Sequence, residues 1–408
     1  MRKIGIIGGG QLGRLAIEEA GKYLAEIEVL TPDYPGPASD LARVVHIGSL
    51  LDREAILEFA SEVDVLSYEI EHVDVSALRE LEASGKPVLP GADLLALIQD
   101  KAAQKALWDE AGLPSAPWAL VEGDRPDARA IAAAAARAGG FPLVQKARRG
   151  GYDGRGVKVV ASEAEARALE KAPAGEGLLA GPSLVEAKVD FAKELAVVVA
   201  RAGDGSTAVY PCVEMVFDPR VNMCDSVLAP AEEGPAVLER AREVALAAVE
   251  ALDRAARREA GQRGSPTAGA AGVFGVELFL TRKGEILVNE VAPRPHNSGH
   301  FSIEACESSQ FDQYLRILLG LPLGSAGLLS PAMMVNLLGD PDSPAGEPEY
   351  RGLEDALSVP GVAIHLYGKR EARPFRKMGH LTALGPSAGE ARERAERARA
   401  CLSIRGRP

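Results

Sequence analysis

Short apolar runs and stretches of helical spacing take turns along the first hundred residues. Lys3–Ile7 reads as a buried strand, followed by the turn Gly8-Gly9-Gly10-Gln11-Leu12-Gly13; Leu12, Leu15, Ala16 and Leu24 then recur at helical spacing. Strands at Ile27–Leu30, His46–Gly48, Val63–Tyr68 and Val88–Leu89 alternate with helices at 53–61 and 76–83. That order predicts a doubly wound, Rossmann-like α/β domain over residues 1–99. A helix at 100–111 and a Pro-rich joint lead to an alanine-rich helix at 128–138, then to two β runs within 141–160. Strands follow at Leu184–Val189 and Lys193–Arg201, and an amphipathic helix at 232–252. The polar, uneven run 254–268 predicts a helix end passing into a mobile loop. Val273–Leu280 and Glu285–Val291 flank Thr281-Arg282-Lys283-Gly284 and read as a β-hairpin. The expected divisions are 1–99, a central domain at 100–330 with a lid subdomain at about 115–182, and a small β-rich C-terminal domain at 331–408. The fold class is thus α/β combined with α+β.

Composition narrows the function. The 408 residues are 47% apolar and 25% charged, with a net charge of −12 and a pI near 5.2. Such an acidic chain is a poor non-specific binder of nucleic acid or of an anionic membrane, although local basic loops can still hold a small anion. No apolar run approaches a membrane span, and the chain starts on a strand rather than a signal peptide. Cys212, Cys224, Cys306 and Cys401 show no metal spacing, so a reduced, cytoplasmic protein is expected.

The predicted hairpin carries one acid on each strand, Glu277 and Glu290. With the turn at 282–284 they fall opposite one another, at about 5 Å. Two carboxylates that close ask for a hard cation such as Mg²⁺, which binds through one or two carboxylates plus substrate phosphates; alternatively both point to solvent. Gly8–Gly13 with Asp33 beyond it fits a dinucleotide fingerprint, but physically says only that an anion can approach backbone amides at a helix N-terminus. Glu69 and Glu71 lie just past a strand's carboxyl end, where ligands bind in such sheets. Gly150, Gly151, Gly154 and Gly156, with Arg148, Arg149 and Arg155, suit a flexible cationic lid over polyphosphate beside Lys146.

Lys146, the glycine lid, the paired glutamates and the N-terminal α/β domain resemble the ATP-grasp superfamily of carboxylate–amine ligases. Gly8–Arg14, Gly150–Gly156, Asn289–His300 and Arg376–His380 are similar to the 5-(carboxyamino)imidazole ribonucleotide synthase family within it, in order and over nearly the whole chain. The resemblance implies a central ATP-grasp domain that uses ATP and bicarbonate, through carboxyphosphate, to carboxylate the exocyclic amine of aminoimidazole ribonucleotide. It implies that ATP meets Lys101, Lys146, the lid Gly151, Tyr152, Asp153, Gly154, Arg155, Gly156 and Val157, the stretch Glu186, Ala187, Lys188 and Val189, and Glu194, Phe217, Asn289 and Glu290. Glu277 and Glu290 would hold Mg²⁺, as two ions. The ribonucleotide would meet Gly10, Gln11, Leu12, Glu69, Tyr152, Arg155, His296, Asn297, Ser298, Lys369, Arg376 and Lys377. Arg294, Lys377 and Asp153 would be the catalytic groups, Arg294 because a planar fork matches a planar anion. A cytoplasmic homodimer with no nucleic-acid or membrane partner is implied.

This chain departs from the family at Lys101, where Arg is usual, at Phe217, where His is frequent, and at Phe375, where Gly is usual. A bulky residue does not take a glycine conformation cheaply, so the tail loop is expected to run differently. The competing functions are a related ligase (the formate-using glycinamide ribonucleotide enzyme, or a biotin carboxylase-like enzyme) and an NAD-dependent oxidoreductase.

Overall fold

Alternating buried and half-buried positions in the first hundred residues resolve into a parallel sheet. The computed structural model describes residues 2–123, 126–151, 156–173 and 175–407. Strands β1 (Lys3–Ile7), β2 (Glu26–Thr31), β3 (Val44–Ile47) and β4 (Val65–Tyr68) lie in the order β3-β2-β1-β4, all parallel. Helices α1 (Gln11–Ala20), α2 (Arg53–Ser61), α3 (Val75–Ala83) and α4 (Ala92–Ile98) connect and follow them. The run at Val88–Leu89 is reduced to one bridge, Leu66 with Val88. Asp52 and Asp74 cap α2 and α3 by accepting backbone N–H groups of the first turn.

Helix α5 (Lys101–Glu110) leads into an antiparallel sheet of β5 (Trp118–Val121), β6 (Leu143–Ala147), β7 (Val157–Val160) and β8 (Ser183–Ala187), ordered β5-β8-β6-β7. Helices α6 (Ala128–Arg137) and α7 (Glu163–Leu169) back it, with Ile131, Ala134, Leu143, Val160 and Val185 as its core.

The central sheet starts with β9 (Phe191–Arg201), β10 (Thr207–Val209), β11 (Val213–Asp218) and β12 (Met223–Ala229). Helix α8 (Pro235–Gln262) and the hairpin β13 (Gly272–Thr281) and β14 (Ile286–Ala292) follow. Beyond α9 (Ser302–Ala305) and α10 (Gln310–Leu319) come β15 (Ala332–Leu338), β16 (Glu347–Arg351), α11 (Leu353–Leu357), β17 (Val362–Leu366), β18 (Lys377–Leu384), α12 (Ala388–Cys401) and β19 (Ser403–Arg407). The order is β14-β13-β9-β11-β12-β15-β18-β17, with β10 on β9, so hydrogen bonding runs without a break across residue 331. Alternation along β9 explains why it is central. Leu195, Val197 and Val199 pack on α8, while Ala196, Val198 and Ala200 join the cluster containing Phe311 and Leu315 of α10.

The helix end expected within 254–268 is present, and one other expectation is corrected. Helix α8 continues to Gln262 before passing into a loop, because the alanine period carries on through Ala255, Ala256 and Ala260, all buried. The arginines of that stretch are its outer face: Arg258 pairs with Glu110 at 2.6 Å, and Arg263 pairs with the buried Asp93 of α4. Phe375 does take the glycine conformation, with φ +59, in a turn closed by the Arg376 N–H donating to the Arg373 carbonyl at 3.0 Å.

Candidate active site

Three acids share one face of the central sheet. Glu277 and Glu290 are cross-strand partners, the pairing expected from the turn. Glu194 of β9 lies opposite Phe279, diagonal to Glu277 and on the same side. A bulge beside Glu277 leaves Asn289 as an extra residue on β14, and its Nδ2 lies 3.3 Å from Glu277 Oε2. His296 Nε2 is 3.4 Å from the other oxygen of Glu277. Burial raises the Glu277 pKa, but His296, Lys146 and Asn289 outweigh it and hold the carboxyl below its usual range. For Glu194, burial and then the charge of Glu277 push the pKa up to about 7. Glu290 is half exposed and pairs with Lys101 Nζ at 3.3 Å.

Cations face these acids from the four-stranded sheet and α5. Lys146 Nζ of β6 reaches Asn289 Oδ1 at 3.3 Å and Glu186 Oε2 at 3.0 Å. Glu186 is buried and has a second ammonium, Lys105 Nζ, at 3.5 Å. Burial alone would raise the Glu186 pKa; Lys146 and Lys105 together keep it low. Burial lowers the Lys105 pKa, against the pull of Glu186. Val144, Val157 and Val159 share the Lys146 side of the sheet by register, and Val157 and Val159 are exposed. That gives a flat apolar surface beside a buried ion pair, a suitable bed for an aromatic base.

Not every lid cation points at this cleft. Arg148 Nε and Arg149 Nη2 bind the two oxygens of Asp100 at 2.7 and 3.0 Å. Asp100 also caps α5, so in this structure these arginines fasten the base of the lid. Gly150 and Gly156 have φ of +76 and +73, which turns the chain at both ends of the loop. Gly151 borders it, whereas Tyr152, Asp153, Gly154 and Arg155 lie outside the described residues. In the stretch expected to meet the base, the amides of Ala187 and Lys188 donate to Pro117 and Pro142 carbonyls at 2.9 and 3.0 Å. Val189 and Phe217 are half-buried, Phe217 beside a bulge in β11.

A second cluster adjoins the first. Glu69 accepts hydrogen bonds from the backbone N–H of Gly10 and, at 2.5 Å, of Gly13. A Cβ on Gly8 would lie 2.4 Å from Glu69 Cγ, and one on Gly10 2.8 Å from its Oε1. The glycines therefore admit this side chain, and the anion at the N-terminus of α1 is the chain's own carboxylate. The Leu12 amide also faces Glu69; Leu12 is buried and Gln11 half-buried at the start of α1. This arrangement removes the dinucleotide reading, because the position a pyrophosphate would take is filled by Glu69. Burial raises the Glu69 pKa against those amides and the charge of Arg294.

Arg294 Nε is 2.8 Å from Glu71 Oε1. His296 Nδ1 meets Ser298 Oγ at 2.8 Å, and its backbone N–H donates to Gln310 Oε1 at 2.8 Å. Asn297 and Asn336 exchange two amide hydrogen bonds of 2.9 and 2.8 Å, and Ser298 is fully buried. Asn297 thus ties this loop to β15 in the structure. Lys377 starts β18, half-buried, and makes no ion pair with a described residue; its charge acts on His300. Arg376 Nη1 binds the Glu371 carbonyl at 2.9 Å, and Lys369 Nζ lies 5.8 Å from the Tyr367 ring centre. Arg370 pairs with Asp40 at 3.0 Å, which holds the tail against the N-terminal sheet's loops.

Among the described residues no group of three His, Cys, Asp or Glu side chains is arranged to hold a metal unaided. The donor set that is present, two paired carboxylates and an amide beside cations, fits Mg²⁺ arriving with phosphate oxygens.

Comparison with known proteins places this geometry. The ribonucleotide synthetase preATP-grasp domain matches residues 1–99, the ATP-grasp domain residues 106–257 and 258–311, and the phosphoribosylaminoimidazole carboxylase C-terminal domain residues 332–394. The N5-carboxyaminoimidazole ribonucleotide synthase of Synechococcus elongatus is 38% identical over 99% of this chain and 94% of its own. The chain belongs to the N5-carboxyaminoimidazole ribonucleotide synthase family. The chloroplastic phosphoribosylaminoimidazole carboxylase of Vigna aconitifolia is 39% identical over 94% of this chain, which spans 64% of that longer protein. The N5-carboxyaminoimidazole synthase of Aspergillus clavatus, crystallised with ADP and 5-aminoimidazole ribonucleotide, superposes with a TM-score of 0.82 at 34% identity, covering 97% of each chain.

Lys105 and Gln310, which the sequence pattern did not single out, hold candidate site residues in place. Lys105 sits at three-residue spacing between Ala102 and Trp108, all buried, and a lysine on an apolar helix face was the available signal. Gln310, fully buried, grips the 296–300 loop through His296 N, His296 O and His300 Nδ1; nothing local to Gln310 announces this.

Proposed function

We infer that the chain couples ATP cleavage to carboxylation of the exocyclic amine of 5-aminoimidazole ribonucleotide, giving N5-carboxyaminoimidazole ribonucleotide, ADP and phosphate in purine biosynthesis. The observation that carries this is the facing of Glu277, Asn289 and Glu290 with Lys146 and Lys101, next to a second cluster around Arg294 and Glu69.

Phosphoryl transfer needs positioning and charge neutralisation rather than a nucleophilic side chain. Lys146 and Lys101, which face the acids, would hold phosphate oxygens, and the valine face beside Lys146 would seat the base. Glu277 and Glu290, with Asn289, would hold Mg²⁺, as two ions, which supplies charge neutralisation to the phosphates. Bicarbonate oxygen takes the γ-phosphoryl group as ADP leaves. The amine nitrogen then bonds to the carboxyl carbon, phosphate departs and the nitrogen gives up a proton. Arg294 is the group for the planar carboxyl, exchanging Glu71 for it. Lys377 and Asp153 complete the catalytic set, and Lys369, Arg376, Tyr152, Arg155 and His296 the ribonucleotide contacts. We also propose a cytoplasmic homodimer; no helix of the described residues is long and apolar enough to cross a membrane.

ADP release measured with bicarbonate, with and without the ribonucleotide, tests the assignment. Stimulation by the ribonucleotide is expected, and its absence sinks the acceptor assignment. Glu290→Gln should abolish turnover with the thermal transition unchanged; normal activity in that variant would remove the metal-site reading.

A further inference from the structure

The turn that delivers Arg376 and Lys377 is held by a contact that a glycine at position 375 does not provide. Phe375 has φ +59, a region L side chains rarely adopt. Its N–H donates to the Gly339 carbonyl at 2.9 Å, and the Gly339 N–H donates to the Arg376 carbonyl at 2.9 Å. These two bonds fix residues 375 and 376 at the exit of β15. Gly339 is required there, because a Cβ would meet the Arg373 carbonyl at 2.3 Å. The Arg220 guanidinium lies over the Phe375 ring, 5.3 Å from its centre. Arg220 is itself aimed by a fork on Asp218, with Nε at 3.0 and 3.1 Å from the two oxygens and Nη2 at 2.6 Å. Asp218 ends β11, and its carbonyl accepts from Val221 and Asn222 to close the β11–β12 turn. Two residues after Phe375, Lys377 pairs with Leu338 just past a register shift in β15. An unbroken set of contacts therefore runs from the β11–β12 turn through Arg220 and Phe375 to Lys377.

We propose that Arg220 and Phe375 are positioning residues for the second substrate. The guanidinium-on-ring contact holds the strained turn, and with it Lys377, in the orientation that meets the ribonucleotide. A glycine at 375 would adopt this φ without strain but would leave the turn free to leave it. Without Arg220, Phe375 would be held at its strained φ by the two Gly339 bonds alone, and the chain two residues before Lys377 would sample negative φ more often. The contact is a clamp built across two strand ends of the central sheet. It rests on the ribonucleotide assignment made above for Lys377.

Two measurements on Arg220→Ala, Arg220→Lys and Phe375→Gly test it. In steady-state kinetics, Arg220→Ala should raise KM for aminoimidazole ribonucleotide roughly two- to five-fold, the worth of an exposed cation–π contact. KM for ATP and the thermal transition should stay at the wild-type values. Arg220→Lys, which keeps a cation over the ring, should recover most of the loss, and Phe375→Gly should not. Equal rises in both KM values, or an unchanged ribonucleotide KM, overturn the proposal. Hydrogen–deuterium exchange over residues 373–378 reads the clamp without turnover: Arg220→Ala should exchange faster there and nowhere remote from it. Unchanged exchange overturns the clamp whatever the kinetics give. Faster local exchange in a protein whose ADP release ignores the ribonucleotide would instead overturn the functional assignment and leave the clamp standing.

Discussion

Lys105 shows how much of the nucleotide side depends on one buried charge. It lies against Glu186, which also carries Lys146, so removing it leaves a buried carboxylate with half its compensation. Breaking a buried pair from one side typically costs about 3–5 kcal/mol. Lys105→Met should therefore lower stability by about 3 kcal/mol in chemical denaturation and weaken ATP saturation. Adding Glu186→Gln should restore part of the stability, because the unpaired charge goes with it; full additivity would show that the two side chains are not coupled. Lys105 was passed over because a lysine in a helix reads as surface, although its spacing between Ala102 and Trp108 puts it on an apolar face. Glu69 was hidden for a different reason. The glycine turn announces that an anion approaches, and the anion is supplied by a residue far along the chain whose path the turn does not encode.

At the scale of elements, the hairpin β13–β14 was the most legible part of the site. Turn position sets register in an antiparallel pair, so the opposition of Glu277 and Glu290 follows from counting. The bulge that turns Asn289 inward does not follow from counting, since it depends on how β13 also meets β9. The hairpin's inner face is crowded: a Cβ on Gly275 would lie 2.4 Å from His296 Cβ. Gly275→Ala should displace the 296–300 loop, cost about 1–3 kcal/mol and cut turnover at least tenfold. Gly284→Ala, in the hairpin turn with nothing within 4 Å of the new Cβ and φ +83, is the control. It should cost about 1 kcal/mol from backbone strain and leave turnover intact. Equal activity in the two variants would contradict the packing argument. The anchoring of the lid base was not legible at this scale, because Arg148 and Arg149 find Asp100 at the N-cap of α5, a partner brought close only by the fold.

At the scale of the molecule, the sheet that carries the acids continues into the C-terminal strands, and histidines mark the seam. His380 of β18 stacks on His365 of β17 at 4.6 Å and meets His300 at 4.7 Å. Glu304 binds His365 at 2.6 Å, Tyr367 binds His380 at 3.0 Å, and Lys377 and Arg294 add positive charge around His300. Burial, then those neighbouring cations and rings, drives the pKa values of His300 and His380 well below the usual histidine range. Both rings stay neutral in the fold where the unfolded chain takes up protons. Stability should be full above about pH 6.5 and fall below it, by at most about 1.4 kcal/mol per pH unit for each ring. Denaturation midpoints between pH 5 and 7.5 should show this slope, and His380→Gln should flatten it; an identical slope in the variant would assign the acid sensitivity elsewhere. The N-terminal α/β domain was readable from alternation alone, but the continuity of the sheet past residue 331 was not. Strand pairing between β12 and β15 joins segments separated by α8, the hairpin and α10, and no local pattern records it.

The central claim is that one cleft transfers phosphate to bicarbonate and the adjoining cluster hands the carboxyl carbon to an amine. The most direct measurement is carbon NMR with ¹³C-bicarbonate and ¹⁵N-labelled aminoimidazole ribonucleotide, run beside an ADP assay. The prediction is a carbamate carbon coupled to the amine nitrogen, formed only with ATP and in proportion to the ADP released. ADP release without that coupled signal, or a coupled signal that forms equally well without ATP, would contradict it.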